Sequence, residues 1–291
     1  MKLYAPSTIE AIKEKHRFQL SKSLGQNFIT DKHVIERIVE GADPSEKDLV
    51  IEIGPGIGVL TAEAAQQAAK VIAIEIDSKL IPILGETLAE YDNVEVINQD
   101  ILKTDLNGII DEQRQLGNFT GDVKIIGNLP YYITTPIIMH ILDSIHAESI
   151  TVMMQKEVAD RIKASPGNKT YGAISAAVQY YCEVEQVISV PKEVFVPRPK
   201  VDSAVLKLTI RKETPVDLID EKAFFACIKA GFGQRRKTLL NSLTGTYGLS
   251  KDEIRTILEK AGIDPVRRAE TLDMNEFADI ANGVASAKQT I

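Results

Sequence analysis

"DLVIEIGPGIGVLT", residues 48–61, runs from a β-branched stretch into a turn carrying Gly54, Gly56 and Gly58 and then into a segment suited to a helix. Strand, glycine turn and helix in direct succession open a βαβ unit, because glycine lets the backbone turn tightly and approach a ligand at the helix amino end. Outward from this stretch the alternation continues: "KVIAIEID" (70–77), "VEVINQD" (94–100), "VKIIGN" (123–128) and "SITVMMQ" (149–155) read as further strands with helical text between them. Several of these runs are apolar on both faces, as strands covered by helices on both sides must be, so the expected fold class is α/β with a mainly parallel sheet.

After Gln155 the pattern changes. "KEVADRIKA" and "YGAISAAVQYY" read as helices, while "EVEQVISV" (183–190) and "DSAVLKLTI" (202–210) read as strands joined by "PKEVFVPRPK", whose three prolines forbid helix. Two strands with no helix between them predict an antiparallel hairpin at the sheet edge. The expected organisation is a nucleoside-binding α/β domain over 1–210, a linker over 211–220 and a small all-helical carboxy-terminal domain over 221–291.

Composition excludes several classes. With 291 residues, 44% of them hydrophobic, the chain can bury a sizeable core, and its formal charge of −7 argues against a polyanion bound through overall charge. Any nucleic acid has to be held by local basic patches. Cys182 and Cys227 do not fall at a redox or metal spacing, and the four histidines form no ligand pattern, so no metal site is expected. The amino end is polar and charged, and nowhere does an uncharged apolar run reach the length of about 18 residues that a membrane helix needs. A cytoplasmic protein, without membrane contact and monomeric, is therefore expected.

The glycine turn predicts half of a binding site. The next strand ends in Glu75, 21 residues after Gly54, close to the spacing of about 20 at which an acidic residue bonds ribose hydroxyls in doubly wound folds. Pro55 in the turn and Glu52 just before it make the loop a poor cradle for pyrophosphate, so a nucleoside cofactor with positive charge fits better. Asp100, at the end of the third strand, offers an acceptor to an adenine amino group, or else caps the turn that follows it.

The fourth strand ends abruptly: "KIIGNLPYYITTPI" (124–137) stops at an amide, a proline and two aromatic rings. Consider an exocyclic amine on a base as substrate and a sulfonium methyl donor as cofactor. Two acceptors, the Asn128 side-chain oxygen and the Leu129 carbonyl, would take one N–H each and aim the nitrogen lone pair at the methyl carbon. Pro130 fixes the direction of the Leu129 carbonyl by biasing that residue to extended backbone. Tyr131 would lie on the base, with Phe195 as the candidate for its second face. Tyr132 reads as a packing residue.

These motifs, "LGQNFITD" (24–31), "VIEIGPGIGVLT", "IEID", "NQDIL", "GNLPYYITTPI", "MMQKEVADRI", "NKTYGAISAAVQYY" and "FVPRPKVDSAV", together resemble the ribosomal RNA adenine N6,N6-dimethyltransferase family over nearly the whole chain. The tail "FGQRRKTLLNSL…GIDPVRRAETL" is similar to the carboxy-terminal domain of its small-subunit branch. The resemblance implies a Rossmann-like class I methyltransferase with a seven-stranded sheet, an amino-terminal segment covering the cofactor, and S-adenosylmethionine as that cofactor. It implies dimethylation of two adjacent adenosines in the 3'-terminal hairpin loop of 16S rRNA within the immature 30S subunit. It places Asn27 and Ile29 in the cofactor pocket with Gly54, Gly56, Glu75, Asp100 and Asn128. Asn128 through Tyr131, with Phe195, become the positions that hold the adenine. Tyr132 is a departure, since many members carry an asparagine there. For RNA, the candidate contacts are Arg235, Arg236, Lys237, Arg267 and Arg268 in the helical tail. Two competing readings stay open: the same chemistry on large-subunit 23S rRNA, and a non-catalytic ribosome assembly factor.

Overall fold

In the computed structural model, residues 2–21, 24–144, 147–234 and 236–289 are described, and they divide into two compact units. The first comprises Met1–Ala159 and Glu183–Ile210; the second comprises Asp160–Cys182 and Arg211–Ile291. Among the described residues nine strands occur in chain order: β1 (Phe28–Ile29), β2 (Leu49–Ile53), β3 (Lys70–Glu75), β4 (Val94–Asn98), β5 (Val123–Asn128), β6 (Ser149–Gln155), β7 (Cys182–Val190), β8 (Phe195–Val196) and β9 (Ser203–Ile210).

Seven of them form one sheet in the order β4-β3-β2-β5-β6-β9-β7. β2 pairs in parallel with β3 on one side and β5 on the other, β3 with β4 and β5 with β6 likewise, while β9 lies antiparallel to β6. Every residue of β2 is buried, which explains the lack of alternation in "LVIEI". The chain runs from β2 outward to β4 and then returns to the other flank of β2 as β5. That reversal places the carboxyl ends of β2, β3 and β5 side by side, where open α/β sheets bind ligands. The register makes the juxtaposition specific, since Ile53 of β2 stands opposite Ile74 of β3 and Gly127 of β5. Gly54, Glu75 and Asn128 thus lie one step beyond a single row.

One face of the sheet is packed by the helix Lys32–Ala42, whose Val34, Ile35, Ile38 and Val39 fall at helical spacing and join Val50, Val71, Ile126, Met153 and Val205 in one apolar cluster. Its amino end is capped by Asp31, whose carboxylate accepts from the His33 and Val34 amides, a contribution of about 1 kcal/mol. The joining stretch 191–200, expected to hold no helix, contains a single 3-10 turn at Lys192–Val194 and then β8, which pairs antiparallel with β1 so that Phe28 faces Val196 and Ile29 faces Phe195. Thr30 adds two bonds to the Val194 carbonyl, from its amide and its hydroxyl, each 2.8 Å. The amino-terminal segment is thereby sewn to a stretch more than 160 residues away.

The second unit is helical, built from Ala173–Tyr181, Glu221–Gly233, Leu239–Leu243, Lys251–Lys260 and Met274–Gln289. The boundary expected at residue 210 is corrected here: residues 160–182 belong with the tail. The cause is aromatic packing, with Tyr180 5.1 Å from Phe224, Tyr171 5.6 Å from Phe232 and Tyr181 stacked on Phe225. Cys182 and Cys227 are buried and unbridged, and burial pushes both thiols up to about 12. No helix among the described residues is long and apolar enough to cross a membrane.

Candidate active site

The three strand ends open onto one cavity, lined by Gly54, Pro55 and Gly56 after β2, Glu75 and Ile76 after β3, Asn128 and Pro130 after β5, and Gly25, Gln26, Asn27 and Ile29 from the amino-terminal segment. Six of the seven expected cofactor positions, Asn27, Ile29, Gly54, Gly56, Glu75 and Asn128, meet here. Asp100 is not in the cavity wall: its carboxylate accepts from the Leu102 amide at 3.1 Å and lies 3.9 Å from Lys103, the capping alternative.

The glycine turn is shaped by need rather than by composition. Gly54 and Gly56 adopt φ of +70° and +62°, left-handed backbone that side-chain-bearing residues avoid. A Cβ on Gly56 would come within 3.0 Å of the Phe28 ring, so the turn and the amino-terminal segment fit only because that atom is missing. Glu75 is held by two main-chain donors, the Asp77 amide at 2.8 Å and the Gly56 amide at 3.3 Å. Burial raises its carboxyl above the ordinary value while those donors oppose the rise. Each carboxylate oxygen accepts one of these amides and has lone pairs beyond it.

Three lining residues escaped the sequence reading in this role. Glu52 is wholly buried and accepts from the Thr61 hydroxyl at 2.5 Å; burial pushes it up to about 8, helped by the neighbouring Glu75 charge. The repulsion of phosphate expected from Glu52 is thus weakened, because burial favours its protonated form. Ile76 is 53% exposed and lines the cavity, an apolar side chain left open at the end of β3. Gln26 straps the amino-terminal segment down, accepting from the Ser21 amide and donating to Asp77 at 2.9 Å. Its signal was its place beside Asn27.

Asn128 is oriented without ambiguity of its amide. Its nitrogen donates to the Asn27 carbonyl at 2.8 Å, which only the NH₂ end can do, so Oδ1 is the end left to accept. The Leu129 amide is committed to the Met153 carbonyl, which pins the strand end against β6 and leaves the Leu129 carbonyl as the next acceptor along the chain. Tyr131 lines a second cleft with Asn27, Gly25, Pro197, Pro199 and Lys200, and its hydroxyl pairs with Ser203 at 2.7 Å. Burial raises its phenol above the ordinary value.

Two expectations are corrected. Phe195 is 2% exposed, packed with Ile29 and Val190 in the sheet-face cluster, and lines neither cavity. Directly opposite Ile29 in the register, it is covered by that cluster and is not an open stacking face. Tyr132, expected to pack, is 62% exposed. In the helical unit, Arg236, Lys237 and Arg268 are exposed. Arg267 is bound bidentately to Glu276, with further bonds to Thr271, which makes it a structural cation. Arg235 lies outside the described residues. The two basic runs are brought together by main-chain bonds, Leu239 amide to Arg267 carbonyl at 2.7 Å and Leu240 amide to Pro265 carbonyl at 3.2 Å.

With this geometry in place, comparison with known proteins decides the family. Residues 17–286 match the profile of ribosomal RNA adenine dimethylase. The chain belongs to the ribosomal RNA adenine dimethylase family. This dimethylase is 52% identical to the ribosomal RNA small subunit methyltransferase A of Alkaliphilus metalliredigens, covering 98% of this chain and 99% of that one. It is 51% identical to the protein of the same name from Clostridioides difficile, covering 97% and 96%. Among solved structures, it matches a dimethyladenosine transferase from Plasmodium falciparum with a TM-score of 0.73 at 26% identity, over 90% of this chain and 98% of that one. It matches the 23S rRNA methyltransferase ErmE with a TM-score of 0.66 at 26% identity, over 89% and 99%. The dimethylase is thus a methyltransferase with the Rossmann-like fold expected from its sequence.

Proposed function

We propose that this dimethylase transfers methyl groups to N6 of two adjacent adenosines in the 3'-terminal hairpin loop of 16S rRNA, acting in the cytoplasm as a monomer on the immature small subunit. The observation that carries the chemistry is the Asn128 amide: its nitrogen is spent on the Asn27 carbonyl, so its oxygen is presented beside the Leu129 carbonyl. Two acceptors on one strand end suit an amine that must lose its planarity before it attacks. The near-full-length relatives at about half identity carry the small-subunit name, which favours 16S over 23S as the substrate.

S-adenosylmethionine supplies an electrophilic methyl group on a cationic sulfur. The cavity suits it: Glu75 offers acceptors to a ribose, Ile76 an apolar face to a base, and Glu52 a buried carboxyl whose ionisation a nearby cation would favour. The chain's own residues then act by position. Asn128 and Leu129 accept the two N–H groups of the adenine amine, draw its nitrogen towards tetrahedral geometry and stabilise the positive charge that develops on it. Pro130 holds the Leu129 carbonyl in direction. Tyr131, fixed through Ser203, lies against the base. No strong base is required, since the proton lost after transfer leaves an already cationic nitrogen.

In the helical unit, Arg236, Lys237 and Arg268 supply phosphate contacts that position the RNA without reading its sequence. The deciding experiment incubates purified protein and labelled S-adenosylmethionine with unmethylated small subunits and maps label on 16S rRNA fragments by mass spectrometry. Dimethyladenosine at two neighbouring positions near the 3' end is expected. Label on large subunits alone would transfer the reading to 23S rRNA, and no label on either would overturn it.

A further inference from the structure

Tyr131 and Tyr132 leave the same turn into opposite environments. The first is half-buried with its hydroxyl held by Ser203; the second is 62% exposed. An aromatic ring left in water does little for the fold, so the exposure of Tyr132 has no stability reason. Yet the ring is not adrift. Its Cε1 and Cδ1 atoms stand 3.5 and 3.6 Å from where a Cβ on Gly25 would sit, and Gly25 has a φ of +63° and shares the cleft wall with Tyr131. One edge is seated on the backbone of the amino-terminal segment while the rest of the ring stays open.

We infer that Tyr132 is a stacking platform for the nucleotide beside the target adenosine. The inference rests on the proposed reading of the Asn128–Tyr131 cleft as the adenine site. A base taken out of a stack leaves one face of its neighbour bare, and that face needs cover while the target occupies the pocket. The ring placed for this task is the one adjacent in sequence to the target's own aromatic contact. Lys200, exposed on the far lip of the same cleft, is placed to meet a phosphate of that strand. The occupant is thus the base flanking the methylated position, and where two adjacent adenosines are modified each serves in turn as the other's flanking base.

The test uses the full-length protein on unmethylated small subunits. Tyr132→Ala is expected to raise KM for subunits by at least about fivefold, the scale of one lost base–aromatic stack, with KM for S-adenosylmethionine unchanged. Tyr132→Phe keeps the ring and should restore the wild-type value. Replacing Tyr132 by p-benzoylphenylalanine and irradiating the complex should give a reverse-transcription stop at a nucleotide next to a methylated adenosine. A subunit KM within about twofold of wild type for Tyr132→Ala, equal impairment in Tyr132→Phe, or crosslinks only to other nucleotides or to protein would each overturn the inference. Asn128→Ala separates the two levels. If that variant is fully active, the reading of the cleft itself fails; if it is inactive while Tyr132→Ala behaves as wild type, only the platform falls.

Discussion

Substituting Glu52 by Gln should remove a pH dependence that this buried carboxyl imposes on the α/β unit. In the folded chain burial holds the Glu52 proton up to about pH 8, whereas the unfolded chain releases it near the ordinary value of 4.5. Between those values the native state binds more protons than the unfolded state, so the contribution is complete below about pH 4.5 and declines as pH rises through about 8. At about 1.4 kcal/mol per pH unit, the decline over that window reaches roughly 5 kcal/mol. Gln keeps the acceptor for the Thr61 hydroxyl and cannot ionise. Hydrogen exchange of the β2 and β3 amides, corrected for intrinsic rates, reads this unit without requiring the whole chain to unfold in one step. The cofactor-free wild type should lose several kcal/mol of protection between about pH 5 and about pH 8, and Glu52→Gln should lose markedly less, with a residue left by the likewise raised Glu75. A cationic cofactor would draw Glu52 into its ionised form, so its binding near neutral pH should release protons in wild type but not in the variant. Identical pH slopes in the two proteins would refute the assignment of a buried, proton-holding Glu52.

Other expectations concern single groups. Asn128→Ala should lower the methylation rate by about 10²- to 10³-fold, the cost of losing one positioned stabilising group, while subunit binding in a pelleting assay stays intact. Glu75→Ala removes the carboxylate held by the Gly56 and Asp77 amides and should abolish the S-adenosylmethionine titration signal while small-subunit binding persists. Gly56→Ala places a Cβ at 3.0 Å from Phe28 in left-handed backbone, and thermal or denaturant unfolding should show a loss of stability of roughly 1–2 kcal/mol from the backbone term alone. Arg268→Ala should reduce the salt dependence of subunit binding by about one phosphate contact, whereas Arg267→Ala should lower the melting temperature, because it strands Glu276.

The sequence made the central strands plain because each is buried on both faces, and a run such as "LVIEI" has no other home in a protein of this composition. The strand-end residues were equally plain, since Gly54, Glu75 and Asn128 share one register row. What stayed hidden was set by distant pairing. Nothing near residue 28 announces a partner at residue 196, so the place of Asn27 and Ile29 comes only through family resemblance, and the burial of Phe195 follows from a strand pairing that its own neighbourhood does not reveal. The helix Ala173–Tyr181 carries an apolar face, but periodicity does not say which core that face joins; Phe224 and Phe225 decide it. Arg267 and Arg268 are indistinguishable as letters and differ only because Glu276 reaches one of them.

The bond between Asn128 and residue 27 runs to a main-chain carbonyl, not to a side chain. Any amino acid at position 27 keeps that oxygen, but the Asn27 side chain also donates to the Gly25 carbonyl at 3.0 Å and so helps to set where the oxygen stands. The two duties that meet at this corner are therefore coupled through the backbone: a replacement of Asn27 that frees the Gly25 carbonyl reaches the amide that faces the substrate.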